Sequence, residues 1–171
     1  MKTAFTFLIS VLVLLVTLAF GMPAAAQASC QHSGDPVRSI SKKNARNAIG
    51  CLFNKERSAR NVKRVGTLKN AAQGHSAVMA SQRCLSHQCS GEPNLPGRVS
   101  RTGYLNGTSN YKLGEIILSG SAKSSSRLIV SRWVGSPGHR AVLMDSSYKH
   151  VGIGLTIRDG TVYATGDFGN K

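Results

Sequence analysis

Apolar positions along the chain change period several times, and each change marks an element. Residues 4 to 20 are apolar almost without interruption, behind Lys2 and ahead of Pro23 and the small-residue run at 24 to 28. From Ser41 onward Ala45, Ala48, Ile49, Leu52 and Phe53 recur every three or four residues with Lys and Arg opposite, which predicts a first helix fading beyond Ala59. A basic connector, Asn61 to Gly66, leads to Thr67, read as the N-cap of a second helix with Leu68, Ala71, Ala72, His75 and Met79 on one face. His75 therefore points inward, as a core histidine with one satisfied nitrogen. Residues 82 to 98 read as a loop holding Cys84, Cys89, Gly91, Pro93, Pro96 and Gly97, with a short helix around Val99 to Thr102. Tyr111 to Ser119 reads as a strand. Ser124 to Ser126 offer caps for a third helix carrying Leu128, Ile129, Arg132 and Trp133, which stops at Ser136, Pro137 and Gly138. From Val151 to Ile157 apolar residues alternate with Gly152, Gly154 and Thr156, and Asp159 with Gly160 turns the chain into Thr161 to Thr165, the strongest hairpin signal present.

Helices come first and antiparallel strands last, so the class is α+β, with helices packed on a small sheet. The opening segment has the form of a secretory signal peptide, with Ala26, Gln27 and Ala28 as the cleavage site and Ser29 as the mature start. An uncleaved anchor is the alternative, since the apolar run approaches the ~18 residues that span a bilayer. A lipoprotein is a weaker one: Gln27 stands where a lipidation box wants a large aliphatic residue, and lipidating Cys30 would strand Cys51. The expected organisation is a signal peptide over 1–28, a polar leader over 29–40 held by Cys30, and one domain over 41–171.

Composition narrows the compartment and the partners. Four cysteines in an oxidising compartment favour two disulfides over free thiols or metal ligands. Three pairings exist; loop-closure cost favours the local pair Cys84 with Cys89, which leaves Cys30 with Cys51. A zinc knot from Cys84, His87 and Cys89 is the competing reading, and the disulfide is preferred outside the cytoplasm. The chain has 22 basic and 7 acidic side chains, and loss of Lys2 with the leader leaves 21 against 7, a net +14. Such a charge implies anionic surroundings, a cell-wall polymer, lipid head group, extracellular nucleic acid or polysaccharide, and says nothing about fold. Lys55, Arg57, Arg60, Lys63, Arg64 and Lys69 gather on or just beyond the first helix as a basic face, or as scattered solvating charge. Phe53 is the lone aromatic residue in that stretch, which argues against nucleic acid as a partner.

An ordered set of motifs runs through the same elements: CLFNKERSAR at 51 to 60, AAQGHSAVMA at 71 to 80, the pair Ser86 and His87, LGEI at 113 to 116, RWVGSPGHRAVLMDSSYKHVGIG at 132 to 154 and VYATGDFG at 162 to 169. In these the chain resembles the CAP superfamily of cysteine-rich secretory, antigen 5 and pathogenesis-related proteins, in its short bacterial form. The resemblance implies a small antiparallel sheet sandwiched between helices, and a shallow cleft of two histidines and two acids. By motif these fall on His87, Glu115 and His139. Gly135, Ser136 and Pro137 occupy the place of the second acid, which short bacterial members commonly lack, and Ile116 replaces the amide of the family's G-E-N.

Two imidazoles and a carboxylate can hold Zn²⁺ with one position open, so His87 and His139 are candidate ligands for zinc or another divalent metal, and Glu115 a candidate base or ligand. Each lies on a different element, so no local metal motif supports the set. His150 and His32 read as surface groups. Three functions compete: a binding module whose cleft takes a small, lipid-like or sterol-like ligand; a metal-assisted hydrolase of peptide or cell-wall bonds; and a basic protein that holds anionic envelope polymers. The resemblance favours the first, in a monomer outside the cytoplasm, and leans away from an enzyme.

Overall fold

The computed structural model describes residues 29–58 and 60–171; the expected leader peptide and its anchor alternative lie outside them. Nine elements follow in order: α1 (Lys42–Arg57), β1 (Lys63–Arg64), α2 (Gly66–Gln82), α3 (Leu95–Arg101), β2 (Lys112–Ser121), α4 (Ser126–Gly135), α5 (Pro137–Met144), β3 (His150–Arg158) and β4 (Thr161–Asn170). The sheet order is β1-β3-β4-β2. β2, β3 and β4 pair antiparallel, as their patterning predicts, and the two-residue β1 adds a parallel edge in register with His150 and Val151. No described helix is long and apolar enough to cross a membrane.

Local chemistry sets most helix ends. The Ser41 hydroxyl accepts from the Asn44 N–H at 3.1 Å, Asn94 from Gly97 at 3.0 Å and Ser125 from Leu128 at 3.2 Å, each satisfying a first-turn donor. Thr67 does not cap α2. The Val65 N–H is already bonded to the Val151 carbonyl at 3.0 Å, so the chain passes from β1 straight into the helix two residues earlier, with Val65 at the N-cap. α3 likewise starts at Leu95, inside the expected loop, because Asn94 caps it and Pro96 suits a first turn. At the β3–β4 turn Asp159 and Gly160 have φ of 48° and 74°, the two positive values that a two-residue primed hairpin needs.

The alternation in the strands divides the sheet into two faces. Val151, Ile153, Leu155, Val162, Ala164 and Phe168 join Ile49, Phe53, Ile129, Trp133 and Leu143 in the main core, with α1, α4 and α5 on that side. Phe53 sits 5.6 Å from the Trp133 ring and 5.5 Å from Phe168, and the buried Trp133 Nε1–H donates to the Ile117 carbonyl at 3.1 Å. Smaller clusters of α2 and α3 residues cover the other face, so the architecture is an α-β-α sandwich.

α2 lies nearly in backbone contact with the sheet. A Cβ on Gly152 would come 2.1 Å from the Leu68 carbonyl carbon, and one on Gly154 would come 2.1 Å from the Ala72 carbonyl oxygen. Two disulfides, Cys30–Cys51 and Cys84–Cys89, hold the leader to α1 and close the loop after α2. The leader is fastened further than Cys30 alone would do: Val37 is buried, and Val37 and Arg38 donate to the Ser124 and Ala122 carbonyls at 2.9 and 3.1 Å.

The Gly154→Ala substitution should cost upwards of about 3 kcal/mol, because its methyl meets main chain that cannot give way. Chemical denaturation of the variant beside Gly74→Ala, whose added Cβ meets nothing, checks this.

Candidate functional site

The loop between α2 and α3 carries His87, two residues before Cys89, so the disulfide and the Glu92 carboxylate, which accepts the Cys89 N–H at 3.1 Å, shape its position. The His87 side chain is 60 % exposed, and its Nδ1 lies 2.7 Å from Glu115 Oε1. A carboxylate oxygen can only accept, so Nδ1 carries the proton and Nε2 is left for solvent or ligand. Glu115 is buried in the middle of β2, and Arg98 of α3 donates from Nη2 to its second oxygen. The same guanidinium donates from Nη1 to the His87 and Pro93 carbonyls at 2.9 and 3.1 Å, tying the loop to the strand.

His139 stands in the first turn of α5, half-buried. Burial, and after it the charge of the neighbouring His87, lower its pKa, so it is a neutral imidazole at neutral pH. The three residues singled out from sequence therefore converge, with Glu115 touching His87 and His139 close enough to sense it. They do not form a metal cage: among the described residues no three His, Cys, Asp or Glu side chains are grouped to hold an ion. Both Glu115 oxygens are already engaged, and the donor set does not fit a three-ligand zinc site.

Behind Glu115 lies a buried network that the sequence did not disclose. His75 is fully buried, as expected, yet its Nδ1 is 2.9 Å from both Glu92 oxygens while Nε2 has no hydrogen-bond partner and faces Glu115 Oε2 at 3.8 Å. Asp167 of β4 is the cross-strand partner of Glu115 and is completely inaccessible, with neither carboxylate oxygen meeting a donor. Three of the chain's seven acids, Glu92, Glu115 and Asp167, thus gather around Arg98, the one buried guanidinium in the cluster among the described residues. One cation cannot offset three carboxylates away from water. Desolvation, and then the facing Glu115, raise the Asp167 pKa well above the usual carboxylate range, so Asp167 keeps its proton. The one signal for Asp167 in the sequence is an acid inside an apolar strand, and pairing it with Glu115 required the register.

A cleft of about 320 Å³ runs beside this network between α2 and residues 91–102, with His75, Glu92 and Arg98 in its wall, and shares none of His87, Glu115 or His139. The remaining histidines sit elsewhere. His32 pairs with Asp35 at 2.9 Å near the surface, whereas His150 is half-buried, bonded through Nδ1 to the Tyr104 hydroxyl at 2.7 Å, and so is not the plain surface group expected. Arg57 also departs from expectation. It leaves the basic face and is buried, donating to the Asp145 and Tyr148 carbonyls at 3.0 Å each and to that of Leu143, which pins the α5–β3 connection.

The raised Asp167 pKa fixes the sign of a stability term. Its contribution is fully present below the unfolded value near 3.8 and is lost as pH rises toward the displaced folded value. The Asp167→Asn variant, which cannot ionise, should match wild type at low pH and be the more stable of the two at neutral pH or above. Urea melts at a series of pH values read this directly; a constant difference between the two proteins would contradict it.

A family model described as the cysteine-rich secretory protein family, CAP, matches residues 51–168. Among curated proteins none matches the sequence. Solved structures similar to the chain include an extracellular protein containing an SCP domain from Bacillus anthracis, at 21 % identity and TM-score 0.60, over 75 % of this chain and 40 % of that one. An outer surface protein from Borrelia burgdorferi is similar at 19 % identity and TM-score 0.61, over 77 % and 96 %. A cysteine-rich secretory protein from Staphylococcus aureus is similar at 20 % identity and TM-score 0.54, over 75 % and 39 %. The chain thus spans about two fifths of the first and third of these proteins and nearly all of the second, and at such identities the likeness is one of fold. Because the family model covers more than half of its length, the chain belongs to the CAP family of cysteine-rich secretory proteins.

Proposed function

We propose that this protein is a binding module that works outside the cytoplasm, presenting His87 and His139 to the polar, hydrogen-bonding end of a small, lipid-like ligand. The observation that carries this reading is the engagement of both Glu115 oxygens, one by His87 and one by Arg98. So held, Glu115 orients an imidazole, and neither of its oxygens is free to take a proton from a bound substrate. His87 offers an outward Nε2 with fixed orientation, and His139 a neutral imidazole beside it. Among the described residues Leu85, on the same disulfide-closed loop, is the most exposed of the large apolar side chains at 54 %, and supplies an apolar surface next to the polar one. A metal-assisted hydrolase fits this arrangement less well, because the mechanism asks for a free carboxylate or a third ligand. The extracytoplasmic setting is supported by the two disulfides, by the leader read in the sequence, and by similar structures described as extracellular or outer-surface proteins.

Fluorescence titration with cis-parinaric acid should show binding that weakens about tenfold or more in the His87→Ala, His139→Ala double variant, through loss of the imidazole contacts to the ligand's polar head. Undiminished binding in the double variant would move the ligand away from the histidines. Tight Zn²⁺ binding by calorimetry, abolished in the same variant, would replace this reading with the metal-assisted one.

A further inference from the structure

A second concavity, of about 220 Å³, lies where α1, β1 and the start of α2 meet, and it shares no residue with the histidine cleft. Lys43, Arg46, Asn47, Arg64, Val65, Gly66 and Lys69 line it: four cations, one amide and no acid. None of the four cations is paired with a carboxylate among the described residues, although seven acids are available in the chain. Unrelieved like charge at close quarters opposes folding, so an arrangement that holds it in place asks for a partner.

The two arginines are held. Lys43, Arg46, Asn47 and Gly50 fall at i, i+3, i+4 and i+7 on α1 and so share one stripe. Arg64 reaches back across that stripe and donates to Asn47 Oδ1, and its stem fills the space over Gly50, where a Cβ would stand 2.8 Å from Arg64 Cδ. A glycine inside a helix costs about 1 kcal/mol relative to alanine, and here the missing side chain is what seats the arginine. Arg46 donates to Gln73 Oε1 at 3.3 Å, and Gln73 is itself anchored to β3 through the Leu155 backbone and the Thr156 hydroxyl. Two guanidinium groups with fixed stems, flanked by two exposed ammonium groups, match a tetrahedral oxyanion of more than one charge. The volume exceeds that of a bare ion and falls below the ~300 Å³ at which pockets for drug-sized ligands begin.

From this we propose that the cavity is a binding site for a phosphate ester, its phosphate between Arg46 and Arg64 with Lys43 and Lys69 at the rim. This goes beyond the basic-face reading of the sequence. Of the six residues in that face, Arg64 and Lys69 line the cavity, Arg57 is buried as a structural tie, and Lys55, Arg60 and Lys63 are exposed outside its lining.

Calorimetric titrations of the whole protein with sn-glycerol 3-phosphate and inorganic phosphate test the site, alongside flotation with phosphatidylcholine vesicles with and without phosphatidic acid. The Arg46→Ala, Arg64→Ala variant should bind the ester about tenfold or more weakly, whereas Lys55→Ala, Arg60→Ala, with the same net charge, should change by less than about twofold. The Gly50→Ala variant is the sharper probe: it alters no charge and raises helix propensity, yet should weaken binding several-fold by displacing Arg64. Thermal melts confirm that each variant is folded. Equal losses in the two double variants, full affinity in the Gly50→Ala protein, or no binding of any phosphate probe by wild type would each overturn the proposal. Vesicle binding that depends on phosphatidic acid and falls with the cavity variants assigns the ester to a lipid head group, and soluble ester binding without it assigns a free phosphate ester.

Discussion

α2 can rest on the sheet only where the sheet has no side chains. Gly152 and Gly154 clear a track along β3, and the helix answers with Ala71, Ala72 and Ser76, so that main chain approaches main chain. Everything on that face follows from the short distance. His75 is carried into the interior, Ser76 reaches the Thr165 hydroxyl at 2.9 Å, and the loop leaving α2 is delivered above β2, where Cys84–Cys89 closes it and His87 meets Glu115. The larger apolar core on the opposite face supplies most of the burial, while the glycine track decides where the chemistry sits.

Close packing also explains the protonation of the buried acids. Glu115 and Asp167 face each other across neighbouring strands, a position in which two carboxylates repel unless one keeps its proton. Arg98 satisfies Glu115 and the loop carbonyls together, so a single guanidinium links strand, helix and loop. The exposed histidine is therefore backed by an organised interior, in which Glu115 orients it. The family pattern expects a second acid after the tryptophan helix, and here Gly135 and Ser136 form the break between α4 and α5. The additional acids come from β4 and from the disulfide loop.

Positive charge divides in the same way between structure and surface. Arg57 and Arg98 are inside and spend their donors on main-chain carbonyls and carboxylates, which no lysine could satisfy with the same planar fork. Arg46 and Arg64 are held at the edge of a cavity by side-chain amides, which fix a guanidinium without neutralising it. Net charge alone distinguishes none of these roles.

Repetition along the chain determined the elements. The three- and four-residue period of α1 and α2, the serine caps, and the alternation around Asp159 and Gly160 are local facts, and local facts are enough to make helices, a hairpin and an α+β order legible. The motifs placed His87, Glu115 and His139 together before any coordinates, and the disulfide partners followed from loop length. Tertiary structure decided what those residues contact. Whether Glu115 is a free base or a held orienter depends on Arg98, 17 residues away, and on Asp167, 52 residues away, and their meeting is set by strand register and by the path of α3. The same holds for Arg57, three of whose acceptors lie 86 to 91 residues on, and for Arg64, whose seat is the absent side chain of Gly50. Sequence period records which face a residue occupies, whereas its partner comes from another element, through contacts that no local pattern encodes.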